Sequence, residues 1–500
     1  MRKNVLLFLS GRLVALAILV AFQIFVVRQL PRAQYAVYAL VLAFGVLTQT
    51  VGAMGIPRLI PKYVSQAGVS LSPLRVRRLI AQLLATRFAS SLVLLVLVAA
   101  GLSLTGTPGM TAERVAAAFL FSLAGAVQVD ADAMAQSLGL QIASRNCTVV
   151  EAAVRLALVG WFVGVQGSPS ADVVLWCSAL TSGSAAVVLA WAVLRRLAKL
   201  AEPENPARLA WPELRATALG GYSSSMAWFA SSPAVLRFIA AKLLPVAVFS
   251  GYAFAQGLII SVQRYTPGSL TFPFIEPAVM RAYARTGDRS QLESALSLIS
   301  KIDIFFIGAA VVGAAVAGTE VVDLITRGKY GAQAYAFVWL LIYIVTNSVY
   351  RTFEIMAVAL GASGALRKTL SLSLVWLVAA VLLTRELGLL ALLICPIGDA
   401  ASRLVVLYRG LRRAGIRRPV DLRFTAVALV VATGLGLGGR EAAATLGLSA
   451  GWTIGLGVAA ALLYWAGLAL SRPLRRGEAD LVAGGARHPV FRLMPILTRG

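Results

Sequence analysis

The sequence predicts an all-α polytopic membrane protein, with about fourteen transmembrane helices that form two pseudo-symmetric six-helix bundles plus two extra C-terminal helices. Three observations support this fold class: the composition, the recurrence of long apolar runs, and an internal duplication. Of the 500 residues, 59% are hydrophobic and 13% are charged, and the mean hydropathy is +0.81. A soluble protein of this length is far less apolar.

Long apolar runs recur along almost the whole chain. A run of about 20 residues crosses a hydrocarbon core of roughly 30 Å as a helix, and no long segment remains for a soluble domain. The predicted spans cover residues 5–27, 36–60, 79–103, 112–139, 146–166, 170–194, 216–240, 246–270, 296–318, 332–360, 368–384, 387–409, 424–440 and 448–471.

A degenerate copy of residues 28–63 returns as residues 242–277. At an offset of 214, the matched residues are Leu30, Pro31, Ala33, Tyr35, Tyr38 and Ala39 with Leu244, Pro245, Ala247, Phe249, Tyr252 and Ala253. After a two-residue slip, Pro57-x-x-x-Pro61 matches Pro273-x-x-x-Pro277. Six spans separate the copies, so both have the same topology, and a central cleft between two bundles is expected.

The basic residues set the predicted orientation, because they gather in loops that share one side of the membrane. The positive-inside rule places that side, and both termini, in the cytoplasm. We therefore predict an N-terminal six-helix bundle (1–200), a cytoplasmic linker (201–215), a C-terminal six-helix bundle (216–410), helices 13 and 14 (411–471) and a basic cytoplasmic tail (472–500).

The formal charge of +25 indicates anionic lipid headgroups and not nucleic acid, since the basic residues lie in short loops without aromatic platforms. His488 is the single histidine, and the three cysteines lie in or beside apolar runs. This composition disfavours histidine- or cysteine-based catalysis and metal binding. We predict a protein that is not an enzyme, with no catalytic residue, metal or cofactor.

Ionisable residues at membrane depth cost several kcal/mol unless they are paired or hydrated, so each is a functional candidate. Acid–base neighbours one helical turn apart, which lower this cost as internal ion pairs, are Glu151 with Arg155, Asp399 with Arg403, and Arg351 with Glu354. Arginine also offers a fork of donors suited to phosphate. The candidate residues for binding a pyrophosphate or glycan are Arg12, Arg87, Arg237, Arg264, Arg155 and Arg351. The alternative for Arg12, Arg87, Arg237 and Arg264 is snorkelling to the membrane surface.

Asp130 and Asp132 of span 4 are predicted to be the only acids deep in a span without a local basic partner. They are candidates for binding a coupling ion. The alternative is that they pair with an arginine of span 1 or span 3.

Several motifs resemble those of the Wzx-type polysaccharide flippases, a family of the MOP superfamily of MATE-like exporters. The motifs are RQLPRAQYAVYAL after span 1, Gly55-x-Pro-Arg and Pro-Lys-Tyr-Val after span 2, KLLPVAVFSGYAFA between spans 7 and 8, Arg-Gly-Lys-Tyr (327–330) before span 10, and Leu360-Gly-Ala-Ser-Gly after it. The resemblance implies a V-shaped pair of six-helix bundles that alternates its cleft between the leaflets. Where the family often has an acid late in span 7, this sequence has Arg237.

The resemblance implies a flippase that moves a polyprenyl-pyrophosphate-linked oligosaccharide from the cytoplasmic to the external leaflet of the bacterial inner membrane. Its role would be in the biosynthesis of surface polysaccharide, such as lipopolysaccharide O-antigen, capsule or exopolysaccharide. Expected partners are membrane lipids, a coupling H⁺ or Na⁺, and the polysaccharide polymerase or other synthesis machinery. The alternatives are a cation-coupled exporter of drugs or small solutes, a glycan polymerase or ligase, which the short external loops disfavour, and a non-transporting scaffold.

Overall fold

The structure, a computed structural model, describes residues 2–68, 71–105, 111–167, 170–205, 211–230, 232–263, 266, 268, 288–360, 363–416, 421–471 and 478. Within these ranges the chain is almost entirely helical. The helices are α1 (Arg2–Gln29), α2 (Arg32–Val51), α3 (Ile56–Leu59), α4 (Pro73–Thr105), α5 (Ala112–Ser137), α6 (Gln141–Gln166), α7 (Ala171–Leu197), α8 (Trp211–Ala230), α9 (Pro233–Leu243), α10 (Val246–Gln263), α11 (Arg289–Thr326), α12 (Tyr335–Ala359), α13 (Ser363–Leu387), α14 (Leu389–Arg413), α15 (Leu422–Thr445) and α16 (Ala450–Leu470).

Among the described residues, twelve helices are long and apolar enough to cross a membrane: α2, α4 to α7 and α10 to α16. The two remaining predicted spans correspond to α1, whose apolar part is the shorter stretch Leu13–Gln29, and to α8 and α9 together. Pro233 divides this last pair, because it begins α9 behind the N-cap Ser232, whose hydroxyl accepts a hydrogen bond from the Val235 N–H. The predicted all-α, multi-pass membrane fold is confirmed.

The chain divides into two compact units, one of which is Leu6–Ser250. In this unit, α5 packs extensively against α7 and also against α2, and α6 packs on α7. Four of the eight candidate residues lie on α4, α5 and α6 of this unit: Arg87, Asp130, Asp132 and Arg155.

A close approach of two backbones fixes the chain after α2. Gly55 has φ 82° and begins α3, which continues as a π-helix over Ile60–Val64. A Cβ at Gly55 would overlap the carbonyl of Ala218 on α8. Glycine is therefore required here both for its left-handed conformation and for the contact between α3 and α8.

The other compact unit is Gly251–Gly500 together with residues 1–5. Its longest helix, α11, has 38 residues and packs against α12, α15 and α16. Tyr464 of α16 donates a hydrogen bond to the Ile304 carbonyl (3.1 Å), and Trp465 donates to the Phe305 carbonyl (2.9 Å). The two C-terminal helices are thus built onto α11. The predicted domain limits and the side of each terminus stay predictions.

Candidate functional site

A row of polar side chains connects α5, α6 and α7. Glu151 forms an ion pair with Arg155, as predicted, and also accepts hydrogen bonds from Gln128 and from the Ser182 hydroxyl (3.0 Å). Arg155 donates to Ser182 (2.9 Å) and Thr181 (3.3 Å). We call these residues, together with Asp132 and Ser144, the α5–α7 polar cluster.

Asp132 lies one helical turn from Gln128 on α5 and extends this cluster. It accepts hydrogen bonds from the Gln136 amide (2.7 Å) and from the Ser144 hydroxyl of α6. Its side chain is half-buried. The cluster therefore combines one guanidinium, two carboxylates, amides and hydroxyls, a mixture of donors and acceptors that suits a ligand rich in hydroxyl groups.

Asp130 has a different environment from Asp132. Its Oδ2 lies 3.2 Å from Nε of Arg87 on α4, and both side chains are 1% exposed. This confirms the alternative interpretation, in which Asp130 pairs with an arginine of span 3. Arg87 Nη2 also donates to the Gln49 carbonyl at the end of α2 (3.0 Å). Contact between Arg87 and a substrate would require this buried pair to open.

The other candidate arginines are dispersed. Arg237 is buried on α9 in the same compact unit as Arg87 and Arg155. Arg351 is exposed on α12 in the other unit. Arg12 belongs to α1, but its side chain lies outside the described part, and Arg264 lies outside the described residues altogether.

The predicted pair on α14 is confirmed. Arg403 Nη2 lies 2.7 Å from Asp399 Oδ2, both groups are buried, and Asp399 also accepts from the Ser373 hydroxyl (3.0 Å). The Arg403 guanidinium lies over the Tyr350 ring at 4.3 Å. All of these contacts lie within one compact unit.

Sequence reasoning missed Asp303, so the prediction that Asp130 and Asp132 are the only acids of their kind is wrong. Asp303 is 2% exposed on α11 and has no base one turn away. It accepts hydrogen bonds from the Gly268 N–H (2.7 Å) and from the Ser348 hydroxyl of α12. A Cβ at Gly268 would overlap this carboxylate.

The internal duplication could have identified Asp303 as the equivalent of Arg87 in the second copy. Helices α4 and α11 begin 216 residues apart, and Gly52 and Gly268, like Arg87 and Asp303, are separated by the same 216. In the first copy, Arg87 and Ser90 donate to the carbonyls of Gln49 and Gly52. In the second, Asp303 accepts from Gly268. We call these contacts the repeat clamps. Arg87 and Asp303 occupy equivalent positions in the two copies and carry opposite charges, and each binds the backbone at or beyond the end of the preceding helix, α2 or α10.

A second missed group is Lys301, which is buried on α11. Its ammonium lies 2.7 Å from Glu478 Oε2 and 2.8 Å from Asp421 Oδ2. Ser297 also donates to Glu478 (2.8 Å), which is fully buried. Because Glu478 is 177 residues from Lys301, no local spacing predicts this contact.

The chain resembles solved structures of a flippase and of transporters. The chain is similar to an inward-closed structure of the lipid II flippase MurJ (TM-score 0.57, 11% identity, 92% of this chain and 97% of that one). It is also similar to the eukaryotic MATE transporter AtDTX14 (TM-score 0.56, 15% identity, 88% of this chain and 98% of that one). A third similar structure is an inward-facing multidrug resistance MATE family transporter of the MOP superfamily (TM-score 0.54, 16% identity, 82% of this chain and 98% of that one).

No protein-family model matches the chain, and no curated protein matches it at a significant level. The structural likeness, at these low identities, concerns the fold. The chain has a fold like that of MurJ and the MATE transporters.

Proposed function

We propose that the protein flips a polyprenyl-pyrophosphate-linked oligosaccharide from the cytoplasmic to the external leaflet of a bacterial inner membrane, with both termini in the cytoplasm. The flipped glycan would supply the biosynthesis of lipopolysaccharide O-antigen, capsule or exopolysaccharide. The proposal rests on the α5–α7 polar cluster within a fold that flippases use. A glycan presents many hydroxyls, and each can donate and accept a hydrogen bond.

The cluster suggests separate roles for its residues. Asp132, Gln128 and Ser182 would bind sugar hydroxyls, since the carboxylate accepts hydrogen bonds and the amide and hydroxyl both donate and accept them. The pyrophosphate would compete with Glu151 for the Arg155 guanidinium. Arg237, in the same unit, would add a second cation. Arg87 has its charge balanced by Asp130 and would contribute only if that pair opens.

A cation-coupled exporter of drugs or small solutes is the second candidate function. Two of the similar solved structures are MATE transporters. The half-buried Asp132 and the buried Asp303 would then be candidates for binding H⁺ or Na⁺. This candidate predicts that deleting the gene sensitises cells to cationic drugs.

Periodate that cannot cross the membrane tests the flippase directly in spheroplasts. Deleting the gene should sharply reduce the share of lipid-linked glycan that external periodate oxidises, while the total amount persists or rises. Wild-type protein should restore the accessible share, and Arg155→Gln should not.

The matched control is Arg196→Gln, which removes an exposed arginine from the last turn of α7. It should restore accessibility as well as wild type does. An unchanged accessible share after deletion, in a strain without a second flippase, would contradict the proposal.

A further inference from the structure

A cavity of about 410 Å³ lies at the C-terminal end of α11, and its lining includes no residue of the α5–α7 polar cluster. The groups that line it include Thr319, Asp323, Gly331, Tyr335 and Arg440. We call it the α11 end pocket. The charge pattern of the loops predicts this end of the helix to be external. The proposed transport uses none of these residues.

A strained turn builds one wall of the pocket. Arg327 and Gly328 both have positive φ, 55° and 76°, and Gly328 N–H donates to the Asp323 carbonyl (2.9 Å). Arginine rarely adopts this conformation, so the surrounding contacts must hold it. Tyr330 provides one: it is buried, stacks on Phe254 with centroids 5.9 Å apart, and its N–H donates to Thr326.

Gly331 allows the acid to enter the pocket. A Cβ at this position would overlap the Asp323 carboxylate, so the carboxylate lies directly against the backbone. Within the described part of the chain, the side chains of Asp323 and Arg440 have neither a hydrogen-bond nor an ion-pair partner. One anion and one cation therefore line the same cavity, and each is available to a ligand.

The surroundings of the pocket indicate what kind of ligand would bring a cation to Asp323 and an anion to Arg440. Leu324 follows Asp323 and is 65% exposed, and Leu437, one turn before Arg440, is 64% exposed. Exposed leucines of this kind face acyl chains in a membrane protein. Tyr335 is amphipathic and half-exposed at the helix start, as is typical of the membrane–water boundary.

We infer that the α11 end pocket binds the headgroup of a zwitterionic phospholipid that carries a primary ammonium, as in phosphatidylethanolamine. The ammonium donates hydrogen bonds to Asp323, and the Arg440 guanidinium binds the phosphate through paired donors. A purely anionic headgroup leaves Asp323 facing like charge, and a choline headgroup has no N–H to donate. The acyl chains lie along the exposed leucines.

The test uses the purified full-length protein in detergent, with short-chain phosphatidylethanolamine, phosphatidylcholine and phosphatidylglycerol added separately. Bound lipid is counted by native mass spectrometry, and the unfolding midpoint is followed in parallel. Wild type should bind phosphatidylethanolamine at least tenfold more tightly than the other two. Asp323→Asn and Arg440→Gln should each remove most of this preference.

Glu441→Gln and Arg385→Gln are matched controls, because both residues are exposed near helix ends and neither lines the pocket. Both should keep the wild-type preference, and all four variants should unfold at the wild-type midpoint without lipid. Equal binding of the three lipids, or wild-type binding by both pocket variants, would overturn the inference. Soluble phosphoethanolamine that competes as well as the lipid would overturn the membrane source of the ligand. Since binding is measured without transport, failure here leaves the glycan proposal standing.

Discussion

The charged side chains inside the membrane differ in the partners that balance their charge. Arg155 shares Glu151 with two other hydrogen-bond donors in a half-buried cluster, whereas Arg87 is enclosed with Asp130. In a low-dielectric interior, an ion pair whose partner is removed leaves one uncompensated buried charge. Arg87 therefore has a structural role that is independent of any substrate.

Removing Arg87 alone should destabilise the protein, whereas removing both partners should not. Arg87→Met leaves the Asp130 carboxylate unpaired and should cost about 3–5 kcal/mol of unfolding free energy. Arg87→Met combined with Asp130→Leu replaces the pair with apolar groups and should recover most of that loss. Unfolding in detergent, followed by tryptophan fluorescence, measures both.

The double variant also separates structure from transport. If it folds as wild type and restores periodate-accessible glycan in spheroplasts, Arg87 is not required for substrate binding. If it folds normally but does not restore it, Arg87 belongs to the transport site, and the structural assignment is contradicted.

Local spacing predicted some of these contacts and not others. The pairs Glu151–Arg155 and Asp399–Arg403 lie four residues apart on one helix, so a single sequence reveals them. Arg87 and Asp130 lie on different helices, and spacing gave their pairing only as one alternative. The contact from Lys301 to Glu478 joins residues far apart in the sequence, and no periodicity encodes it.

At the scale of elements, the repeat clamps determine where α4 and α11 meet the chain that follows α2 and α10. In the second clamp, the carboxylate of Asp303 accepts from one backbone N–H and one hydroxyl, and both contacts require only an acceptor oxygen. A substitution that keeps an acceptor oxygen but removes the negative charge therefore tests which of the two the second clamp requires.

Asp303→Asn should preserve folding, and Asp303→Ala should not. Asparagine keeps an oxygen for the Gly268 N–H, whereas alanine removes the acceptor of this hydrogen bond at a cost of about 1–3 kcal/mol. The unfolding midpoint should follow this order, and glycan accessibility in spheroplasts should follow the midpoint.

Ser371→Ala, which alters an exposed hydroxyl on α13, serves as a control and should behave as wild type. A different outcome would reassign Asp303. If Asp303→Asn unfolds at the wild-type midpoint and yet abolishes transport, the negative charge itself is needed, and Asp303 becomes an ion-coupling residue.

The elements were predictable because their signals are long and repeated. Runs of apolar residues located nearly every span, although the predicted span 36–60 contains a break that the structure places between the end of α2 at Val51 and the start of α3 at Ile56. The division between α8 and α9 was not predicted, although Ser232 and Pro233 together form an N-terminal helix signal. Continuous hydrophobicity across residues 216–240 concealed that break.

At the scale of the whole molecule, the likeness to solved structures concerns the fold, so the side chains must indicate the function. The solved structures compared above are a lipid II flippase and two MATE transporters, at identities of 11% to 16%. The glycan assignment therefore depends on the polar side chains of α5, α6 and α7 and on the motif resemblance.

Reconstitution into liposomes tests the central claim most directly, because it isolates the protein from other flippases and from synthesis machinery. Liposomes carry a labelled polyprenyl-pyrophosphate-linked oligosaccharide in both leaflets, and an exoglycosidase that cannot cross the bilayer is added outside. Empty liposomes should lose only the outer-leaflet share of the label. Liposomes with wild-type protein should lose nearly all of it, and those with Arg155→Gln should resemble empty ones. Loss of only the outer-leaflet share with active, folded wild-type protein, under an imposed H⁺ or Na⁺ gradient of either direction, would contradict the claim that this protein flips lipid-linked glycan.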